Sequence, residues 1–150
     1  MNRKEAIESI LLKHKGSHFV FSNGLTSREA IAFYDNENSF YMLHAMGEAF
    51  AVGLGLASAL PEKNIIVVEG DGNALMGSSS WSMNTFDNIK LYILDNGLYK
   101  TTGGQELPTL NPNENFVEVI KIDDSDLNTP NPKHPRKIIN QFIKDLWEFQ

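Results

Sequence analysis

A chain of 150 residues can support one hydrophobic core, since a soluble domain of that size buries about 70% of the surface its unfolded form exposes, and a single domain over 1–150 is expected. With 41% hydrophobic and 21% charged residues, 11 Gly and 6 Pro, the composition excludes collagen-like, coiled-coil and strongly disordered classes. Thirteen Lys and Arg against 19 Asp and Glu give a net charge of −6, which argues against nucleic acid or an acidic membrane as partner, and the absence of Cys excludes disulfide, thiolate and zinc–thiolate chemistry.

The opening stretch, MNRKEAIESILLKH, is charged rather than an apolar signal core, and no run of about 18 apolar residues occurs, so a cytoplasmic location is expected. Ala6, Ile7, Ile10 and Leu11 recur at helical spacing, with Lys15-Gly16 as a stop. His18 to Ser22 reads as a strand, broken by Asn23-Gly24. Thr26 or Ser27 can then cap a helix through Tyr34, with TSRE as a capping box. Gly47 to Leu60 is small and apolar, a helix able to approach its neighbour closely, ended by Pro61. Asn64 to Glu69 is a continuous apolar strand, the pattern of a parallel sheet covered on both faces, and GDGNAL opens the next helix. Leu91 to Leu94 and Phe116 to Ile122 are further strands, and Ile138 to Phe149 is a closing amphipathic helix. Alternating strands and helices predict a three-layer α/β/α fold with a mostly parallel central sheet. Two long polar loops remain, Asn96 to Asn115 and Asp123 to His134.

The chemistry concentrates where two strands end. A buried strand running into Gly70-Asp71-Gly72 puts Asp71 at the carboxyl edge of the sheet, where open α/β folds bind ligands. Flanking glycines let backbone amides approach an anion, and the helix dipole favours it. The next strand ends at Asp95-Asn96-Gly97, which brings Asn96 to the same edge, 25 positions after Asp71. A carboxylate, an amide oxygen, a backbone carbonyl and a diphosphate would suit magnesium. Asn-Gly between apolar runs is also a hairpin signal, and GDG is common in turns. A hairpin does not explain two apolar strands separated by a helix.

These residues resemble the diphosphate-binding domain of thiamine diphosphate enzymes, in which GDG is followed by a helix and a strand ending in paired Asn. Here the pair is Asp95-Asn96, so the ligand position is kept. Within that superfamily the chain resembles phosphonopyruvate and sulfopyruvate decarboxylases, through Ser22 to Glu29, Phe40-Tyr41-Met42, Met46-Gly47, Leu54-Gly55-Leu56, Gly103-Gly104-Gln105 and the proline-rich Pro130 to Pro135. The resemblance runs from about Ser17 to Thr109.

The resemblance implies thiamine diphosphate and magnesium as cofactors, with Asp71, Asn96 and the carbonyl of Leu98 on the metal. It places Gly24, Thr26, Ser27, Gly70, Gly72 and Asn73 by the diphosphate. Met46, 25 positions before Asp71, props the cofactor; the carbonyl of His44 faces its amino group; and Thr102 to Gln105 lie near the substrate, a small anionic 2-keto acid. Met46 and Gln105 are the catalytic candidates. The activating Glu of the family sits in a pyrimidine-binding domain for which 150 residues leave no room, so the resemblance implies a partner alpha subunit and a hetero-oligomer. Lys133, His134, Arg136 and Lys137 read as a solvated helix start rather than an anion site.

Three further departures are visible. His44 replaces a usual Gly, Glu48 a frequent His, and a short polar loop stands where relatives continue with helix, strand and helix. They leave a second reading open, a non-catalytic binding or assembly module on the same fold. A phospho-acceptor role for Asp71 is disfavoured, because no acidic pair follows the first strand.

Overall fold

Asn2 accepts from the Glu5 amide at 2.9 Å and Glu5 from the Asn2 amide at 3.0 Å, a reciprocal cap that starts helix α1 (Arg3–Lys13). The computed structural model describes residues 1–123, 129 and 134–147, and within them every strand and helix read from the patterning is present. After α1 come β1 (His18–Phe21), α2 (Leu25–Tyr34), β2 (Ser39–Tyr41), α3 (Ala49–Ala59), β3 (Ile65–Gly70), α4 (Asp71–Gly77) and β4 (Ile89–Asp95). The short strands β5 (Leu98–Tyr99) and β6 (Gln105–Glu106) form an antiparallel pair, and β7 (Val117–Lys121) and α5 (Pro135–Trp147) complete the order. Lys133, most of the proline-rich string and Phe149 lie outside the described residues.

The central sheet is parallel throughout, in the order β2-β1-β3-β4-β7. Its strands alternate sides as the pleat requires. Ile66, Val68, Tyr92 and Leu94 pack with Ala6, Ile7 and Ile10 of α1 and Ala30 of α2. On the opposite face, Ile65, Val67, Leu91 and Ile93 pack with Ala49, Phe50 and Leu54 of α3 and with Ala74 of α4. This is the three-layer arrangement expected. Helix α5 meets β2, where the ring of Phe142 lies 5.5 Å from Phe40 and 6.0 Å from His18.

Three features differ from the sequence reading. TSRE is not a capping box: the N-cap is Gly24 at φ +86° rather than Thr26 or Ser27, α2 begins at Leu25, and no side chain caps it. Ser27 is inside the helix, its hydroxyl within 2.7–3.1 Å of the carbonyls of Phe21, Ser22 and Met42, while Glu29 pairs with Arg3. The three-residue strand β2, too short to show a period, was not foreseen. The polar loop from Asn96 contains the β5–β6 pair. It holds no α-helix, so β4 crosses to β7 without one.

The glycines of α3 bring that helix against the sheet. A Cβ on Gly53 would overlap the Val67 side chain and stand 3.1 Å from Ile89 Cδ1. One acidic group is enclosed under the same helix: Glu69 is fully buried, its Oε1 accepts the Phe50 amide at 3.1 Å, and its Oε2 has no hydrogen-bond partner among the described residues. Burial pushes its carboxyl from 4.5 up to about 8, against the pull of the Phe50 amide and with a small push from Glu48.

Gly53→Ala is expected to cost about 1–3 kcal/mol through overpacking, read as a lower urea midpoint at unchanged slope. Glu69 keeps its proton in the folded chain to about pH 8, whereas the unfolded chain releases it near 4.5. Its contribution is therefore complete below 4.5 and is lost as pH rises through 8. Urea unfolding between pH 5 and 8 is expected to show stability falling, by an amount on the order of a few kcal/mol. Glu69→Gln, which keeps an acceptor for Phe50, is expected to flatten that slope.

Candidate functional site

The strand order reverses between β1 and β3. In a parallel α/β sheet that reversal opens a crevice outside the strands' carboxyl ends, because the connecting segments leave in opposite directions. The segment after β1 is Ser22-Asn23-Gly24; the segments after β3 and β4 begin at Asp71 and Asn96. Gly24, Thr26, Met46, Gly70, Asp71, Gly72, Asn73, Asn96 and Leu98 all line one cavity there.

Asp71 organises the cavity. Its Oδ2 accepts the amides of Asn96 at 3.0 Å and Gly97 at 2.8 Å, and its Oδ1 accepts the amide of Gly72 at 2.8 Å. The Asn96 side-chain oxygen turns back to accept the Leu98 amide at 3.2 Å, and Gly97 adopts φ +74°, which closes the loop tightly. Burial raises the Asp71 carboxyl above its ordinary value; the Gly72 and Gly97 amides pull it down and the neighbouring Asp95 carboxylate pushes it up. Asp95 accepts the Gly97 amide at 2.9 Å and forms an ion pair with Lys121 on β7.

A second turn closes the opposite wall. Ala45 at φ +60° and Gly47 at φ +90° bracket Met46, a left-handed pair that a non-glycine residue tolerates only when held from outside. The hold is visible: the Gly47 amide donates to Asn73 Oδ1 at 3.0 Å, and a Cβ on Gly77 would fall onto the Gly47 carbonyl. Met46 and Tyr99 then converge above Gly72. A Cβ there would stand 3.3 Å from Met46 Cε and 2.8 Å from the Tyr99 ring, so only glycine keeps this floor open.

Three of the residues singled out by sequence fall outside the cavity. Ser27 is buried beneath it, with its hydroxyl committed to strand-end carbonyls. His44 is exposed and lines a neighbouring cavity with Asn23, Gly24, Arg28 and Thr101. Gln105 is exposed on β6, its side-chain amide donating to the Thr102 carbonyl at 3.3 Å. Glu48 is exposed before α3, and His134, Arg136 and Lys137 are exposed at the start of α5. Conversely, Arg3, Asn23, Tyr99 and Lys100 line the cavity without having been singled out. Tyr99 carried a readable signal, an aromatic residue three positions beyond Asn96; Arg3 did not.

The donors suit a hard cation. Asp71 offers a carboxylate and Asn96 an amide oxygen. Among the described residues no three His, Cys, Asp or Glu side chains gather into a metal cage. A cation held at Asp71 would share its shell with backbone, water or ligand oxygens, the manner of magnesium with a phosphate ester. No helix among the described residues is long and apolar enough to cross a membrane.

A family profile described as "Thiamine pyrophosphate enzyme, C-terminal TPP binding domain" matches residues 13–141. The sulfopyruvate decarboxylase subunit beta of Methanocaldococcus jannaschii is 39% identical over 123 residues, 79% of this chain and 64% of that one. The phosphonopyruvate decarboxylase of Streptomyces hygroscopicus is 41% identical over 107 residues, 69% of this chain and 26% of that one. The chain thus spans less than two thirds of either relative. A solved structure, 2-oxoglutarate:ferredoxin oxidoreductase from Magnetococcus marinus with 2-oxoglutarate, coenzyme A and succinyl-CoA bound, aligns with a TM-score of 0.52 at 27% identity, covering 75% of this chain and 39% of that one.

Proposed function

This chain belongs to the thiamine pyrophosphate enzyme family through its C-terminal TPP-binding domain, and from that premise we propose that it is the diphosphate- and magnesium-binding subunit of a two-chain 2-keto acid decarboxylase. The substrate proposed is a phosphonopyruvate- or sulfopyruvate-like acid, after the names of the two relatives above. The observation that carries the reading is the meeting of Asp71 with the Asn96 loop at the strand-order reversal.

Asp71, the Asn96 amide oxygen and the Leu98 carbonyl hold magnesium, while Gly24, Thr26, Gly70, Gly72 and Asn73 border the diphosphate. Asn73 contributes its backbone, since its side-chain oxygen fastens Gly47. Ser27 acts one layer down by holding the carbonyls at the ends of β1 and β2. Met46 supplies an apolar wall, and the His44 carbonyl sits on the turn leading to it. Gln105 lies on the β5–β6 pair toward the substrate side. Thiamine diphosphate, when bound, supplies the electron sink for loss of carbon dioxide, and protein groups supply position and charge. The carboxylic acid that activates the cofactor comes from a partner subunit, a reading supported by the designation "subunit beta" in the M. jannaschii relative.

A second reading, a non-catalytic module on the same fold, is favoured by the lack of an α-helix in the connection from β4 to β7 and by His44 and Glu48. Calorimetry separates the two. The chain with its partner is expected to bind thiamine diphosphate only with magnesium, and no binding would establish the module instead. Asp71→Asn is expected to weaken that binding by about a hundredfold or more, while keeping one acceptor for the loop amides. Asp71→Ala removes the acceptor shared by the Gly72, Asn96 and Gly97 amides and is expected to cost a further 1–3 kcal/mol or so of stability. Carbon dioxide release from either acid by this chain alone would overturn the two-chain assignment.

A further inference from the structure

Arg3 sits in the first turn of α1, yet its side chain is only 7% exposed. Its Nη1 donates to Glu29 Oε1 of α2 at 2.8 Å, and Glu29 is 1% exposed. A buried ion pair is costly to assemble, and a brace between α1 and α2 needs no charge, since apolar residues of similar volume hold helices together as well. The position of this pair gives the charge a use. Helix α1 precedes β1 and runs back along the sheet, so its first turn reaches the carboxyl edge, and Arg3 lines the same cavity as Gly24, Thr26, Asp71 and Gly72.

We infer that Arg3 is an anion anchor of the site, binding the diphosphate of the cofactor from the α1 side with its guanidinium held in place by Glu29. This rests on the reading that the cavity takes thiamine diphosphate. A guanidinium presents five donors in a planar fork matched to phosphate oxygens, and the Glu29 contact occupies one nitrogen. A diphosphate ester brings more negative charge than one magnesium ion neutralises, and Asp71 adds to the excess. A fixed cation on the cavity wall offsets it where water is partly excluded. Arg3 lies ahead of residues 13–141, the span that the family profile matches, so the likeness to the family assigns it no role.

The test uses the full chain in complex with its partner subunit, with magnesium pyrophosphate and magnesium thiamine diphosphate as calorimetric probes and urea unfolding alongside. Arg3→Gln is expected to weaken both probes by about tenfold to a hundredfold, the range for losing a charge-assisted hydrogen bond. Arg3→Lys, which keeps the charge without the fork, is expected to recover part of the loss. Glu29→Gln keeps an acceptor for Nη1 and is expected to lose less than Arg3→Gln. Equal losses in Arg3→Gln and Glu29→Gln would reduce the pair to a brace and overturn the inference, as would wild-type affinity in Arg3→Gln. If Arg3→Gln does not fold, the ranking of Arg3→Lys against Glu29→Gln decides: Glu29→Gln, which leaves the guanidinium whole, binding at least as well as Arg3→Lys supports the anchor, and the reverse order, expected of a brace that needs the ion pair, overturns it. A wild-type complex that binds neither probe overturns the cofactor reading itself, and with it the anchor.

Discussion

The Asp71 carboxylate holds the carboxyl edge of the sheet together. By accepting the amides of Gly72, Asn96 and Gly97, it ties the end of β3 to the end of β4 and fixes how both segments leave the sheet. One carboxylate thus gathers three amides in a partly buried crevice, with Asp95 sharing the Gly97 donor, so the loop is shaped by side-chain acceptors as much as by its own sequence. The arrangement is possible only because β3 and β4 are parallel neighbours in register, Gly70 opposite Leu94, which sets the two strand ends side by side. Because one carboxylate holds both segments, the two strand ends and the loop between them are fixed relative to one another.

The opposite wall obeys a different constraint, the closeness of backbones. Gly77 lets the Gly47 carbonyl rest on α4, Gly72 leaves a floor between Met46 and Tyr99, and Gly53 seats α3 on Val67. Together these contacts fix the turn carrying Met46 to both the sheet and α4. The unusual backbone of Ala45 is sustained by that fixation and by the Asn73–Gly47 hydrogen bond, so the position of Met46 is a property of the packed layer rather than of a free loop.

This division explains what could be read from sequence. Continuous apolar runs such as IIVV and the GDG and Asp-Asn-Gly breaks after them announce parallel strands and their ends, because burial on both faces and turn chemistry are local properties. The sheet and the Asp71–Asn96 half of the cavity were therefore legible. What stayed hidden depends on contacts between distant segments. TSRE has the composition of a capping box, but Ser27 finds carbonyls of β1 and β2 within reach, and tertiary hydrogen bonds override the local signal. Strand β2 is too short to display alternation. Arg3 looked like any polar residue on the outer face of an amphipathic helix, and only the docking of α1 against α2 buries it.

Asp95 tests the same logic at a position where the family pattern is broken. An Asp beside Asp71 places two carboxylates near one another in a buried edge, and Asp95 does push the Asp71 carboxyl upward. Two local adjustments make the substitution tolerable. Its Oδ1 accepts the Gly97 amide, the donor also shared by Asp71, and its Oδ2 meets Lys121, the residue directly opposite it in the β4–β7 register. The extra charge is thus neutralised from the edge strand, on the side away from the cavity, without disturbing Asn96. The same ion pair ties the end of β7 to the end of β4, a link of added weight where no helix covers the crossover between them. A departure that looks like a change in the site is, in the folded chain, absorbed by the strand next to it.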